Sequence, residues 1–364
     1  MFSDKRVFIF EDSSFSRLGG GQVVTITIIR CFNKLGYDVI LCDHNANDTF
    51  HNKVKPNLSG FFELFGKLNR GKLSKNASNF PPIMGNLSYI FIFFFNIIRF
   101  VFHNKKFAKD TYYSATRHSH IFCFFLCLFR NRYWIAHVHS NEKNPILRKL
   151  MRYIFKKSNK IIFVSNYLQE YYDLEEATVL YNPIDGIKQK ENNFKKNGIC
   201  NVGFVGNLLP WKGIDIFLNA AQILNSRNTK NKFSFFVFGG GENLENLRKL
   251  YPFISFKGVT KREIIYPQID ILVLPSVDAE SCPMVILEAI KSGTVCITTN
   301  FGGQSELVKR FGGVLIEPNS ISAIEEAIIY VNENYVKLKS SFTNIDEILN
   351  EKSYLSSFER LICD

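Results

Sequence analysis

The sequence predicts an α/β protein built from two α/β domains. Its 364 residues suffice for roughly two domains of about 150 residues each. Apolar residues make up 46% of the chain, enough to form hydrophobic cores, which excludes an intrinsically disordered protein. Strand–loop–helix alternation occurs twice, before and after a polar segment at 186–198. We therefore predict a first domain over 1–185, a second over 186–344 and a helical tail over 345–364.

The first domain begins with a short strand, a glycine-rich loop and a helix. We predict strands at Val7–Phe10, Asp38–Cys42, Trp134–Val138 and Lys160–Val164, and helices at Gln22–Leu35 and Pro145–Lys157. The polar segment 45–82 is predicted to be a surface excursion with one helix around Phe61–Leu68. The apolar segment 87–102 is shorter than the ~20 residues of a spanning helix. A core position is therefore favoured for it, and an interfacial position is the alternative.

The second domain repeats the alternation after residue 198. We predict strands at Asn201–Val205, Phe233–Phe238, Ile254–Lys257, Asp270–Leu274 and Val295–Thr299, and helices at Gly213–Leu224, Pro283–Ser292 and Ser320–Asn332. The last two of these strands show no polar alternation, which is typical of buried strands in a parallel sheet that is covered on both faces. Pro283 at the first helical turn and Gly293 just past the helix end are typical helix boundaries.

Positive charge is concentrated in the first domain. The formal net charge is +12. Residues 1–185 carry 25 Lys and Arg against 14 Asp and Glu, whereas residues 186–364 carry 20 against 19. This asymmetry predicts an anionic partner: a nucleic acid, a membrane surface or a phosphorylated substrate. We find no motif of a nucleic-acid reader and expect no nucleic-acid partner.

Two basic segments are candidates for docking on an anionic membrane, 99–109 and 145–160. The helix at 145–157 is amphipathic. Its apolar face is formed by Ile146, Leu147, Leu150, Met151, Ile154 and Phe155.

The cysteines and histidines indicate neither disulfides nor a metal site. The eight cysteines are scattered and form no CxxC pair, which excludes zinc-ribbon and thioredoxin-like proteins. They are interpreted as small buried hydrophobes in a reducing compartment. His118 and His120, and likewise His137 and His139, have the spacing of a metal-binding pair on a strand, but no third ligand is identifiable, so no metal site is predicted.

Three loops carry residues suited to a nucleoside diphosphate. The glycine loop 19–21 follows the first strand and would let a phosphate approach helix-start amides. Lys212 stands at a helix start in the second domain. Glu280 and Glu288 flank another helix start, where Met284 and Val285 offer backbone N–H groups. This spacing fits a sugar–diphosphate–nucleoside across the helix start. The alternatives are an ordinary turn for the glycines and solvated surface positions for the lysine and the glutamates.

Residues 201–316 resemble the retaining glycosyltransferases of family 4. The matching motif is ExxPxxxLEAxxxG, from Glu280 to Gly293, followed by TxxGGxxE, from Thr299 to Glu306. The segments GFVGNLLPWKG and FVFGGGE match as well, and the first half matches more loosely at GGG–Gln22, HVHS, FVSNYL and YNPID. The resemblance implies the glycosyltransferase-B (GT-B) fold: two Rossmann-like domains that face each other across a cleft, with a C-terminal helix that crosses back to the first domain.

The resemblance also implies a role for each matched residue. Lys212 would bind the donor diphosphate together with the amides of Met284 and Val285. Glu288 would bind the donor ribose, and Glu280 would hold donor-sugar hydroxyls and face the positive charge that develops at the anomeric carbon. Further donor contacts would come from Gly258 and Val259 beside the base, Gly20 and Gly21 on the diphosphate, and His139 on the sugar. The catalytic residues would be Glu280, Lys212 and His139.

One position departs from the family pattern. Asn207 stands where these enzymes usually have an arginine that also binds the diphosphate. The loss of such a charged hydrogen bond costs ~1.5–3 kcal/mol. Either another cation substitutes, with Arg17 as a candidate, or the activity is lower.

The expected function is therefore transfer of a sugar, with retention, from a UDP- or GDP-linked donor as co-substrate, without a metal or other cofactor. The basic first domain favours a lipid-linked oligosaccharide acceptor in O-antigen or capsule synthesis, at the cytoplasmic face of the plasma membrane. The alternatives are a soluble transferase with a small acceptor, or a catalytically silent binding subunit of the same fold.

Overall fold

The chain divides into two compact units. The computed structural model describes residues 5–12, 20–43, 48–63, 93–102, 110–129, 132–189, 194, 198–227, 232–342 and 345–363. The first unit comprises Met1–Val164, Leu168–Tyr181 and Leu355–Asp364, and the second comprises Ser165–Tyr167 and Asn182–Tyr354.

The first unit is built on a parallel sheet. Among the described residues its strands have the order β3-β2-β1-β4-β5-β6-β7. The strands are β1 (Arg6–Glu11), β2 (Asp38–Asp43), β3 (Gly60–Glu63), β4 (Asp110–Ser114), β5 (Tyr133–Val138), β6 (Lys160–Phe163) and β7 (Thr178–Val179). The helices in this part of the chain are α1 (Gly20–Lys34), α2 (Asp48–Val54), α3 (93–102), α4 (Arg117–Phe129), α5 (Pro145–Phe155) and α6 (Asn166–Tyr172).

Aromatic rings pack α3 and α4 onto one face of this sheet. Phe8 and Phe10 of β1 contact Phe100 of α3 at ring-centroid separations of 5.3 and 5.4 Å. Phe10 also contacts Phe122 of α4 at 5.4 Å. Because residues two apart in a strand point to the same face, α3 and α4 lie side by side on that face.

The C-terminal helix, Glu351–Cys363, returns to the first unit, as expected. Its buried Phe358 contacts Phe32 of α1 at 5.2 Å, and Phe32 contacts Tyr113 of β4 at 5.8 Å. Tyr112, the neighbour of Tyr113, contacts Phe100 of α3. Adjacent strand residues point to opposite faces, so the C-terminal helix packs on the face opposite to α3 and α4.

The second unit contains a parallel sheet with the order β10-β9-β8-β11-β12-β13 among the described residues. Its strands are β8 (Cys200–Val205), β9 (Phe233–Phe238), β10 (Ser255–Gly258), β11 (Ile271–Leu274), β12 (Val295–Thr299) and β13 (Val314–Ile316). The remaining helices are α7 (Ile214–Ser226), α8 (Leu244–Leu250), α9 (Arg262–Ile265), α10 (Met284–Ser292), α11 (Gly302–Phe311), α12 (Ile321–Ser340), α13 (Ile345–Leu349) and the C-terminal α14 (Glu351–Cys363). Every residue of β11 and β12 is buried, as the lack of polar alternation in their sequences predicts.

Both sheets confirm the predicted class of two Rossmann-like α/β domains. In each sheet the strand order reverses beside the first strand: between β1 and β4 in the first unit, and between β8 and β11 in the second. Such a reversal opens a crevice at the carboxyl ends of the strands, where α/β proteins bind their ligands.

The first unit differs from expectation in two elements. The helix predicted around Phe61–Leu68 is wrong for residues 61–63, which belong to the edge strand β3 and pair in parallel with β2, and residues 64–68 lie outside the described part. In α5 only Met151, Ile154 and Phe155 are buried. The other three residues of the predicted apolar face are exposed, because the buried contacts of α5 come from its last turn, where Phe155 packs on His120 and Phe163.

The segment 87–102 is described only from residue 93, where it forms α3. Ile97 and Phe100 are buried in the core, whereas Phe95 and Ile98 are exposed, so the core interpretation holds for one side of the helix. Within the ranges that the structure describes, no helix combines the length and the apolar character needed to cross a membrane.

Candidate active site

The crevice between β8 and β11 in the second unit brings two of the predicted residues together. Lys212 lies in the loop that follows β8, and Glu280 lies in the loop that follows β11. The two strands are hydrogen-bonded neighbours in the sheet, so their loops leave the same edge side by side. A ligand at this edge lies across the carboxyl ends of both strands.

Lys212 and Glu280 form an ion pair that is largely withdrawn from solvent. The Nζ of Lys212 bonds one carboxylate oxygen of Glu280, and the hydroxyl of Ser276 donates to the other. The side chains of Lys212 and Glu280 are only 14% and 10% exposed. The Lys212 ammonium also lies over the Trp211 ring, 4.5 Å from its centroid. Neither charged group is therefore a solvated surface residue.

The loop that carries Glu280 is held by the start of α11. The backbone amide of Gly303 donates to the Glu280 carbonyl at 2.7 Å, and the Glu280 amide donates to the side-chain oxygen of Gln304 at 2.8 Å. A Cβ on Gly303 would lie 1.9 Å from the Ser281 carbonyl oxygen, so this close approach requires glycine. The TxxGGxxE segment thus fixes the position of Glu280.

A second glycine allows the Lys212 loop to approach the loop after β11. Gly213 has a φ of +74°, and a Cβ there would lie 2.0 Å from the Pro275 carbonyl oxygen. The Val277 amide donates to the Trp211 carbonyl at 2.9 Å across the same gap. Backbone packing, and not only the ion pair, therefore keeps Lys212 beside Glu280.

Helix α10 begins with two backbone donors at the predicted position. Pro283 is the N-cap and makes no side-chain cap, so the helix starts one residue later than predicted. The Ile286 amide donates to the Pro283 carbonyl, whereas the amides of Met284 and Val285 precede the first bond of the helix. These two N–H groups stand at the positive end of the helix dipole, where an anion is stabilised.

Glu288, one turn further along α10, is buried and hydrogen-bonded. It accepts from the Tyr266 hydroxyl at 2.7 Å, and the Arg262 guanidinium lies 3.4 Å away. Burial raises the pKa of the Glu288 carboxyl above its usual value, and the Tyr266 hydrogen bond and the Arg262 charge offset part of that increase. Since a carboxylate accepts about four hydrogen bonds, Glu288 retains capacity for ligand hydroxyls.

The loop after β10 is joined to α10 through the same arginine. Gly258 has a φ of +67° at a bulge in β10, and Val259 is 66% exposed. Arg262, three residues further on, makes the contact with Glu288. Asn207 is exposed in the loop after β8. Gly258, Val259 and Asn207 therefore belong to the loops at the carboxyl edge of the second sheet.

Sequence reasoning missed four residues that support this site: Ser276, Gln304, Tyr266 and Arg262. Gln304 lies within the TxxGGxxE motif, and Ser276 lies shortly before the motif that begins at Glu280. Tyr266 and Arg262 lie 22 and 26 residues before Glu288, and no local pattern links them to it.

The other predicted residues belong to the first unit. Gly20 and Gly21 open α1 and are exposed, and a Cβ on Gly21 would meet nothing within 4 Å. Gly21 is therefore not required there by packing within its own unit. Gly19 and Arg17 lie outside the described residues.

His139 follows β5, and its ring lies 4.2 Å from that of His137. Burial lowers the pKa of His139 to about 4, so the ring is neutral near pH 7. The buried Nε2 atoms of both rings have no hydrogen-bond partner in the described part of the chain. Within that part, no three His, Cys, Asp or Glu side chains gather as a metal site requires.

Comparisons with known proteins identify the family and the fold. The family model described as "Glycosyl transferases group 1" matches residues 185–346, and the model "Glycosyltransferase Family 4" matches residues 18–186. The crystal structure of HepE from Anabaena in complex with UDP-glucose is similar, with a TM-score of 0.76 at 16% identity, over 98% of this chain and 99% of that one.

Two Escherichia coli proteins are similar over part of their length. One, "UDP-Gal:alpha-D-GlcNAc-diphosphoundecaprenol alpha-1,3-galactosyltransferase", is 30% identical over 210 residues, which are 55% of this chain and 51% of the relative. The other, "O-antigen biosynthesis glycosyltransferase WbnH", is 26% identical over 256 residues, which are 69% and 66% of the two chains. The chain thus spans about half the length of the first relative and 66% of the second.

Proposed function

We propose a retaining sugar transfer from a nucleotide sugar for this chain, which belongs to the glycosyltransferases with the GT-B fold. The observation that carries the proposal is the Lys212–Glu280 ion pair at one crevice of the second sheet, with the start of α10 at Met284 shortly after Glu280 in the chain. A cation, a carboxylate and free helix-start amides are the groups that a sugar diphosphate requires.

In this proposal the main chemical task is stabilisation of the leaving diphosphate. The bond from the anomeric carbon to the phosphate oxygen breaks, which leaves positive charge on the sugar and negative charge on the diphosphate. The acceptor hydroxyl oxygen bonds to the anomeric carbon from the same face, and its proton passes to the leaving phosphate oxygen. The Lys212 ammonium and the amides of Met284 and Val285 are oriented in advance toward the position where that negative charge develops. Such preorganised donors stabilise the transition state electrostatically. No metal ion or other cofactor is proposed.

The carboxylates hold the two sugars of the donor. Glu288 accepts hydrogen bonds from the ribose hydroxyls, and Tyr266 and Arg262 keep its carboxylate in place. Glu280 binds hydroxyls of the transferred sugar and faces the positive charge at the anomeric carbon. Gly258 and Val259 lie beside the base.

The family resemblance assigns further donor contacts to residues of the first unit. Gly20 and Gly21 would bind the diphosphate, and His139 would bind the sugar. Since its imidazole is neutral, His139 exchanges hydrogen bonds with hydroxyls and does not act as a cation.

The relatives favour a UDP-linked donor and a lipid-linked acceptor, with GDP as the alternative nucleotide. One relative is named for UDP-galactose and a diphosphoundecaprenol acceptor, and the other for O-antigen biosynthesis. Such an acceptor places the enzyme on the cytoplasmic face of the plasma membrane. The basic segments 99–109 and 145–160 would contact anionic lipid there, although residues 103–109 lie outside the described part.

A panel of UDP- and GDP-sugars tests the proposal. A donor at 100 times its dissociation constant stabilises the folded chain by ~2.7 kcal/mol, which raises the thermal denaturation midpoint. The donor that does so is then supplied with a diphosphoundecaprenol-linked sugar, and NMR of the product reports the anomeric configuration. An inverted product contradicts retention.

One observation favours a second candidate, a catalytically silent binding subunit. Asn207 leaves Lys212 as the cation of its loop, and Lys212 is already paired with Glu280. Donor binding without transfer or hydrolysis would support the silent subunit, and turnover would exclude it.

A further inference from the structure

We propose that the outer surface of α3, α4 and α5 inserts into an anionic lipid bilayer as one continuous apolar face. The inference rests on the proposed function, because it identifies the surface by which an enzyme with a lipid-linked acceptor contacts its membrane. It lies entirely within the first unit.

Helix α3 is apolar on both sides. Ile97 and Phe100 are buried against the sheet. On the opposite side Phe94, Phe95 and Ile98 are exposed to 40%, 55% and 52%. Arg99 is exposed as well, so the outer side of α3 combines apolar side chains with one basic residue, which is typical of a helix at an anionic membrane surface. Among the described residues, no helix or strand buries the outer side of α3.

Touching rings join the three helices. Phe94 of α3 lies 5.1 Å from Phe125 of α4, and Phe125 lies 5.4 Å from its neighbour Phe124. Phe124 lies 6.1 Å from Tyr153 of α5. The Lys157 ammonium, just past α5, stands 5.2 Å from the centre of the Tyr153 ring. The exposed residues are therefore parts of one surface.

Further apolar side chains extend this face. Leu128 and Phe129 at the end of α4 are each 65% exposed, and Ile146 and Leu150 of α5 are 76% and 47% exposed. Four of the exposed rings on this face are Phe94, Phe95, Phe129 and Tyr153. At roughly half exposure these four rings leave about 400 Å² of apolar surface, and a patch of that size marks an interaction site.

The charge around this apolar face favours an anionic bilayer over a second copy of the chain as its partner. Residues 93–102, 117–129 and 143–157 contain no Asp or Glu, and Lys149, Lys156 and Lys157 are exposed. Two copies of this face would bring like charges together, which disfavours a dimer. An anionic bilayer offers phosphate headgroups to the lysines and hydrocarbon to the rings.

Vesicle flotation of the full chain tests this inference. The vesicles contain phosphatidylcholine alone or phosphatidylcholine with phosphatidylglycerol. The Phe95→Ser, Phe129→Ser double variant is expected to bind anionic vesicles at least about tenfold more weakly. Leu250→Ser, at a 70% exposed leucine of the second unit, is the matched control and is expected to bind like the parent.

A charge variant separates the two parts of the interaction. The Lys149→Gln, Lys156→Gln variant is expected to bind anionic vesicles more weakly than the parent at low salt. At high salt, where surface charge is screened, the two proteins are expected to bind equally. Unchanged flotation of the phenylalanine variant overturns the inference. The inference is also overturned if the parent forms a concentration-dependent dimer and the phenylalanine variant is monomeric.

Nucleotide-sugar binding, measured on the same variants, keeps the two proposals apart. If a donor binds but the phenylalanine variant floats like the parent, the docking face is wrong and the proposed function stands. If no donor binds but the phenylalanine variant loses flotation, the proposed function fails and the docking face stands.

Discussion

Lys212 and Glu280 are 68 residues apart in sequence and form an ion pair at the carboxyl ends of two adjacent parallel strands. The lysine follows β8 and the glutamate follows β11, the two strands at which the sheet order reverses. The ion pair therefore lies at the crevice that the strand order predicts for the second unit. Three testable predictions concern residues around this ion pair, and a fourth concerns the buried carboxyl group of Glu11 in the first unit.

Lys212→Met is expected to lower turnover by about 10²- to 10³-fold, because the leaving diphosphate loses a preorganised donor. Affinity for the bare nucleoside diphosphate should fall as well, as isothermal titration calorimetry would show. Lys249→Met, at an exposed lysine of α8, is the matched control and should match the parent. Equal turnover in the two variants contradicts the role of Lys212.

Tyr266→Phe is expected to weaken nucleotide binding about tenfold, because the buried Glu288 carboxylate loses the hydroxyl that orients it. Tyr266 is a positioning residue. Tyr251→Phe, whose hydroxyl makes a long 3.4 Å contact with Asn219, should bind nucleotide like the parent. If Tyr266→Phe lowers stability but leaves nucleotide affinity unchanged, its role is structural only.

Gly303→Ala is expected to destabilise the second unit by more than about 2 kcal/mol, because the added methyl cannot fit beside the Ser281 carbonyl. Gly21→Ala should change stability by less than about 1 kcal/mol and in the favourable direction, since the methyl enters open space in a helix. Urea denaturation compares them. If Gly303→Ala changed the free energy of unfolding as little as Gly21→Ala does, the backbone around Gly303 would not be tightly packed.

The buried Glu11 predicts a pH dependence of stability. Burial raises the pKa of its carboxyl from 4.5 to about 7, a hydrogen bond from Thr25 opposes the increase, and the nearby charge of Asp43 adds to it. Between pH 4.5 and 7 the folded state holds a proton that the unfolded state has lost, so this group makes stability fall as the pH rises.

Glu11→Gln removes that ionisation and is the direct test. Relative to the parent, the variant should gain roughly 2–3 kcal/mol of stability between pH 5 and pH 8. Denaturation midpoints in urea at the two pH values measure the gain. A constant difference between the two proteins would show that Glu11 does not titrate in this window.

Elements with a strong apolar pattern could be predicted from sequence, and β4 could not. The unbroken apolar run of β11 identifies a buried strand. Strand β4, with the sequence DTYYS, is equally buried, but its polar ends are satisfied by distant partners. Asp110 pairs with Arg6 at 2.8 Å, and Ser114 accepts from the Trp134 indole at 2.8 Å. Those partners are known only once the fold is known.

The same distinction applies to the site. The spacing between Glu280 and Glu288 is local, so the sequence shows it. The hydroxyl of Tyr266 reaches Glu288 only because α9 and the turn after it pack against α10, and no spacing rule encodes that contact. The exposed side of α5 was missed for a related reason, since a helical repeat of apolar residues does not say whether a neighbour covers them.

The most direct test is a crystal structure of the chain with the nucleotide sugar that stabilises it most. The account predicts diphosphate oxygens on the Lys212 ammonium and on the amides of Met284 and Val285, with ribose hydroxyls on Glu288. Nucleotide bound away from the carboxyl ends of β8 and β11, with none of these contacts, would contradict it.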